Sequence, residues 1–329
     1  MAQDRFADLR TELTERLRHF WRPDPSGDGS ADVAPEASAG FARADRVPEE
    51  VAREIVDNYD DDPQHTRNID EDESEALPLL ARVRPRGMFN DDWRARPTPT
   101  HPWPVVLIHG TGSTKGDWQE LGTELREDGW AVFAPDFGNR ATALVEESAE
   151  QIGAYIDAVL QVTGAEQVIL VGHSQGGILA RYWMRLLGGA PKVRHLVCLA
   201  VPNHGTTMGG VVNPVIRTQL AENIANSIVH AWFGPSGFQQ IHGHPIIEAI
   251  NEDGDLDEGV SYTCIATRAD TVIQPPETCF LEVPEGEDPD RVQNLWIQDI
   301  EPRAVVLHRD LPWDWRVRRM VRMALDHLR

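Results

Sequence analysis

The sequence predicts an α/β protein: a mostly parallel sheet with helices on both faces, a helical insertion, and an acidic N-terminal extension. Three observations carry this reading. From Trp103 onward, short apolar runs alternate with segments of helical periodicity, the order in which strands and crossover helices follow one another. One connection between these runs, from Pro202 to Gly259, is far longer than a strand-to-strand crossover needs. The first hundred residues have a different composition, acidic and rich in Pro, Gly, Ser and Ala.

The elements follow in chain order. Phe6, Leu9, Leu13, Leu17 and Phe20 recur at three- and four-residue spacing, which predicts an amphipathic helix over the first twenty residues. PDPSGDGSADVAPEASAG after it has too few large apolar residues to offset its ordering entropy, and DNYDDDPQHTRNIDEDESE repels itself. Residues 1–100 are therefore expected to be an acidic, partly disordered extension. The strands are expected in PVVLIHG, WAVFAPDFG, QVILVGHS, VRHLVCLAVP, VSYTCIATRAD and VQNLWIQDIEP. Helical character falls over Trp118 to Asp128, Glu146 to Thr163, Gly177 to Leu187 and Trp313 to Leu328. The core thus divides into 101–202 and 259–329, with 203–258 as a cap inserted over the sheet.

Composition excludes some functions. Asp and Glu number 53 against 31 Lys plus Arg, a formal charge of -22, so nucleic acid and anionic membranes are repelled on average and no nucleic-acid partner is expected. No segment has the roughly 20 apolar residues needed to span a bilayer. The charged N-terminus does not read as a secretory signal, and three cysteines do not make a disulfide framework, so a cytoplasmic protein is expected. His242-Gly243-His244 lacks a third ligand and the acidic runs lack the spacing of a calcium loop, so no metal and no cofactor is expected. Cys198 lies within an apolar strand run and reads as an inert core residue.

The chemistry is carried by QVILVGHSQGG. Gly172-His173-Ser174-Gln175-Gly176 stands between an apolar strand and a helix that begins GILARYWMRLL. A serine on such a turn presents its hydroxyl above the sheet, and the flanking glycines leave room for the chain to reverse. Ser174 is the expected nucleophile. An acyl-transfer intermediate needs donors for its oxyanion. The backbone N–H of Gln175 supplies one, and Thr111, through its N–H or its hydroxyl, supplies another from the glycine-rich turn His109-Gly110-Thr111-Gly112-Ser113. Serine also needs a base, itself oriented by an acid. Asp270 ends the run VSYTCIATRAD and is the expected acid, with Asp299 and Glu301 as competitors. His308 falls after the last strand and before the final helix and is the expected base, with His327 as the alternative. In the cap, Val212, Ile216, Leu220, Ile224, Ile228 and Trp232 recur every four residues. That stripe drifts round its helix and needs cover on more than one side. Leu220 and Ile224 are accordingly expected to bind the acyl chain of a substrate, the alternative being two short helices packed in a fixed core with a kink between them.

With these pieces placed, residues from about 104 to 328 resemble the α/β-hydrolases, in particular bacterial class 2 triacylglycerol lipases, with similarity to the fungal lipase B type. The carrying residues are HGTGS at 109 to 113, FAPDFG at 133 to 138, GHSQGG at 172 to 177, PNHGT at 202 to 206, YTCIATRADTVIQP at 262 to 275 and NLWIQD at 294 to 299. The resemblance implies that the first of these serves the oxyanion hole, that GHSQGG holds the nucleophile, and that acid and histidine fall at Asp270 and His308. FGPSG and QDIEP here lack the cysteines such relatives tend to carry. The expected function is a serine carboxylic-ester hydrolase, a lipase or esterase, acting on a small-molecule ester through an acyl-enzyme. A thioesterase or acyltransferase would use the same three residues. A binding protein with this fold and no activity is the reading from another class, and the complete set of three argues against it.

Overall fold

The computed structural model describes residues 77–207 and 229–328. The N-terminal amphipathic segment, the linker and acidic stretch, and the cap residues Leu220 and Ile224 lie outside the described residues.

Six strands form one sheet, all parallel: β1 Val105–Ile108, β2 Val132–Phe133, β3 Val168–His173, β4 Val193–Leu199, β5 Ser261–Ala266 and β6 Val292–Trp296. Their order across the sheet is β2-β1-β3-β4-β5-β6. Each lies within one of the runs predicted to be a strand. β1, β3 and most of β4 are buried along their length, as expected of strands covered on both faces, where apolar residues run continuously.

The side-chain period of two still divides the core. Val106, Ile108, Leu170, Leu196 and Cys198 point to one face and pack with Ile152, Tyr155, Ile156, Ile178 and Leu179. These come from helices α1 (Val145–Thr163) and α2 (Gln175–Leu186). Val105, Leu107, Ile169, Val171, Val197 and Leu199 point to the other face, against Leu121, Leu125, Val317, Met320 and Val321. Those belong to the flanking helices Gln119–Glu127 and Trp315–Asp326. The predicted layering, with helices on both faces, is therefore present.

Of the extension drawn over 1–100, the described residues 77–100 pack on this core. Phe89 is buried, with the Arg126 guanidinium 4.2 Å above its ring. Trp93 meets Phe133 and Tyr155 at 5.3 and 5.4 Å between ring centroids. The Ala134 N–H donates to Asp91 at 2.8 Å. Two large aromatic side chains offset the ordering entropy that the polar composition implies.

Between β4 and β5, residues 203–207 and 229–258 are described and include the short helices Pro235–Gln239 and Pro245–Asn251. Arg181 ties this insertion to α2. It has no solvent exposure and donates to the carbonyls of Asn203 and Asp255 at 3.3 Å and of Ile250 at 3.4 Å, with the Asp255 carboxylate at 3.9 Å. Burial pulls its pKa down, and Asp255 opposes that. Arg181→Met would leave three carbonyls and a buried carboxylate without this partner. Such losses destabilise by about 3 kcal/mol, a shift that urea unfolding would register, whereas a loss under about 1 kcal/mol would show that the insertion is held by other contacts.

Candidate active site

β3 ends at His173 and α2 begins at Gln175, so the whole reversal falls on Ser174, whose backbone sits at φ 53° and ψ -126°. A side chain other than glycine is strained there. The turn is held by the Ser174 N–H donating to the Leu199 carbonyl at 2.9 Å. Its flanking glycines are required by close approach. A Cβ on Gly176 would collide with the carbonyl oxygens of Ile108 and His109, and one on Gly172 would stand 2.5 Å from the Gly177 nitrogen.

Three side chains predicted from separate parts of the chain meet at this turn. The Ser174 hydroxyl donates to His308 Nε2 at 2.9 Å, and His308 Nδ1–H donates to Asp270 Oδ2 at 2.8 Å. All three are buried. The other carboxylate oxygen, Oδ1, accepts the backbone N–H groups of Val272 and Ile273 at 2.8 and 2.9 Å. Burial works against the Asp270 charge. The His308 hydrogen bond and charge, with the Ile273 and Val272 N–H groups, outweigh it and hold the carboxyl below its ordinary value. Asp270 is thus an ionised acceptor that fixes the imidazole tautomer and leaves Nε2 free to accept from serine.

The alternatives are engaged elsewhere. Asp299 pairs with Arg268 at 2.9 Å, Glu301 pairs with Arg316, and His327 bonds the Met323 carbonyl at 2.8 Å within its own helix.

Two residues that sequence reasoning did not single out for this purpose position His308. His173 Nε2–H donates to the His308 carbonyl at 3.0 Å. Gln298 donates to Thr267 Oγ1 and to the Ala304 carbonyl, both at 3.0 Å, and accepts the Arg268 N–H at 3.0 Å. Thr267 in turn donates to the Val306 carbonyl at 2.9 Å. The acid loop and the histidine loop are therefore stitched together by one buried amide. Gln298 was visible in the sequence only within NLWIQD, as part of a resemblance.

Thr111 and Gln175 also come together, with a qualification to the expectation. The Thr111 hydroxyl donates to Gln175 Oε1 at 2.6 Å and accepts from Gln240 Nε2 at 3.4 Å. Its one proton is committed, so of the two donors considered for Thr111 the backbone N–H is the one left for an oxyanion. The Gln175 N–H is at the first position of α2, where it has no intrahelical partner.

The Thr111 turn is clamped from behind. Gly138, Asn139, Arg140 and Ala141 all have positive φ, at 58, 49, 61 and 56°, a left-handed turn that costs about 1–2 kcal/mol per residue outside glycine. It brings the Arg140 carbonyl to the Gly112 N–H at 2.7 Å and the Arg140 guanidinium to the Gly112 carbonyl at 2.5 Å. The same guanidinium binds the carbonyls of Ala81 and Val83. Arg140 therefore holds the Thr111 turn and residues 81–83 in one register.

A cavity of about 350 Å³ opens over Ser174 and His308. Its walls include Leu80, Pro85, Phe233, Ile273 and Leu307, side chains suited to an alkyl group. Among the described residues no group of three or more His, Cys, Asp or Glu is arranged to hold a metal, and Cys198, Cys264 and Cys279 are buried and unpaired. No described helix is long and apolar enough to cross a membrane.

Two imidazoles near the centre of the sheet carry a pH consequence. Burial pushes His173 and His195 down to about 3, aided at His173 by His308 and at His195 by Arg194. The unfolded imidazole titrates near 6.5. Between these values the unfolded chain binds protons that the folded chain refuses, so stability present above about pH 6.5 is lost as pH falls. Each group contributes up to about 1.4 kcal/mol per pH unit in that window. Urea midpoints are expected to drop from about pH 7.5 to about pH 5.5, and His195→Gln to flatten the slope. A wild-type midpoint that does not change over that range would contradict this.

Comparison with known proteins bears on what this geometry is. A family profile described as the alpha/beta hydrolase fold matches residues 104–233. The crystal structure of Aspergillus fumigatus lipase B superposes with a TM-score of 0.52 over 76% of this chain and 57% of that one, at 18% identity. This is an α/β-hydrolase fold. Two triacylglycerol lipases, from Pseudarthrobacter phenanthrenivorans and Burkholderia plantarii, are each 27% identical over 161 residues, or 46% of this chain. The aligned parts cover 47% and 42% of those lipases, so the chain spans about half the length of the curated relatives it matches. In the α/β-hydrolase fold a serine on the strand-to-helix turn, followed in sequence by acid and then histidine, is the order found here in Ser174, Asp270 and His308.

Proposed function

We propose that this chain is a serine carboxylic-ester hydrolase. The observation that carries the reading is the continuous hydrogen-bonded line from Ser174 through His308 to Asp270 at the floor of an apolar cavity. Lipases among the relatives support it.

In this reaction Ser174 Oγ attacks the ester carbonyl carbon while His308 Nε2 takes the hydroxyl proton. Asp270 stabilises the imidazolium through Nδ1–H and stays ionised. Charge on the former carbonyl oxygen is met by the Gln175 and Thr111 N–H groups, at the N-terminus of α2. Collapse of the intermediate breaks the bond to the alcohol, which leaves with the His308 proton. Water then attacks the acyl-enzyme and gives its proton to His308, and collapse breaks the bond to Ser174 Oγ, which takes that proton back as the carboxylic acid leaves. No step needs another group.

The cavity walls favour an acyl chain of some length, and Leu220 and Ile224 extend that reading from the sequence. A series of p-nitrophenyl esters tests it, run beside acyl thioesters of matched chain. Oxygen esters with medium or long chains should be hydrolysed with higher kcat/KM than acetate. Leu220→Asp should reduce kcat/KM for long esters several-fold more than for acetate. A preference for thioesters would move the assignment to a thioesterase, and a preference for acetate would remove the acyl-chain role.

A further inference from the structure

The charge lining the cavity runs opposite to that of the chain. Asp and Glu outnumber Lys and Arg by 53 to 31 overall, yet the cavity is lined by four arginines, Arg84, Arg86, Arg140 and Arg309, against one carboxylate, Asp117. Three of these five charges are already used. Arg86 pairs with Asp310 at 2.8 Å, Arg140 binds the carbonyls of Ala81, Val83 and Gly112, and Asp117 accepts from Ser113 and from Trp313 Nε1. Arg84 and Arg309 remain, both exposed. Neither forms an ion pair with any described residue. Arg309 directly follows His308, and Arg84 stands on the segment that Arg140 fastens over the site.

We infer that Arg84 and Arg309 form a subsite for an anionic group, a carboxylate or a phosphate, on the ester this site cleaves. The inference rests on the hydrolase reading and narrows its substrate class. In a chain of net charge -22, a long-range field repels anionic substrates, and only local cations at the mouth can reverse it. Guanidinium groups suit the task because their donors match the two oxygens of a carboxylate or phosphate. Apolar walls below and cations at the rim fit an ester whose alkyl part enters and whose anion stays at the solvent edge.

The anion can sit on the acyl side or the alcohol side of the ester, and two matched substrate pairs separate these. One pair is p-nitrophenyl butyrate with mono-p-nitrophenyl glutarate. The other is a short-chain monoacylglycerol with the corresponding acylglycerol phosphate, both kept below their aggregation limits so that binding to a lipid surface plays no part. The ratio of kcat/KM, anionic over neutral, is measured for wild type and for Arg84→Gln combined with Arg309→Gln. In one pair the ratio should fall about tenfold, mainly through KM, as two screened charge contacts would produce. Wild-type preference should also shrink in about 0.5 M salt while the variant's does not. Ratios unchanged within about twofold in both pairs, or equal losses on neutral and anionic esters, would overturn the subsite. Neutral-ester turnover by wild type, abolished in Ser174→Ala, reports on the hydrolase reading separately.

Discussion

Ser174→Ala is expected to remove nearly all esterase activity while leaving the fold intact. The hydroxyl makes one side-chain hydrogen bond, to His308, and the turn itself is held by backbone. Alanine relieves none of the φ strain and adds no bulk, so unfolding midpoints should stay within about 1 kcal/mol of wild type. The rate should fall by about 10⁴ or more, because the remaining donors and binding cavity supply only the residual acceleration seen when a nucleophile is lost. Activity within tenfold of wild type in purified protein would sink the nucleophile assignment.

His308→Ala should be as damaging as Ser174→Ala, and the double variant no worse than either, since groups acting as one unit lose function together. Asp270→Asn should cost somewhat less, because an amide at this position still fills space. It loses the anion that holds the imidazole in the tautomer accepting from serine: with its amide oxygen kept by the Val272 and Ile273 N–H groups, its NH2 faces His308 Nδ1 and favours the other tautomer. If Asp299→Asn or Glu301→Gln proved the more harmful acid change, with Asp270→Asn near wild type, the line seen in the structure would not be the one that works.

Much of this architecture was legible because the strands are covered on both faces. Runs such as VVLI and VILVGH must be apolar throughout to sit in such a sheet, and they stand out from the helical periodicity around them. The site was legible to the extent that each part sits at a strand end. Asp270 was preferred because it ends a strand run ahead of a loop, but pattern alone left Asp299 and Glu301 as competitors. All three follow late strands, and only in three dimensions do Arg268 and Arg316 take up the last two.

Other features left little trace in sequence. Gly138 and Asn139 accept left-handed backbone readily, but nothing local announces it at Arg140 and Ala141, where the Arg140 contacts with Gly112 and residues 81–83 hold it. Residues 77–100 keep the prolines of the extension but not its acidity, with five arginines against two aspartates, and Phe89 and Trp93 anchor them on the core. His173 appears in the sequence only as part of the Gly172–Gly176 turn. Its hydrogen bond spans 135 residues of sequence to reach His308, a separation that no local pattern encodes.

The central claim is that Ser174 is activated by His308 at the floor of this cavity. It is tested most directly by treating the intact protein with a fluorophosphonate and locating the adduct by peptide mass. A single covalent phosphonyl group on Ser174, absent from Ser174→Ala and formed far more slowly in His308→Ala, is the result expected, because a serine without its base is a poor nucleophile. No adduct, or labelling of another residue at the same rate in all three proteins, would contradict it.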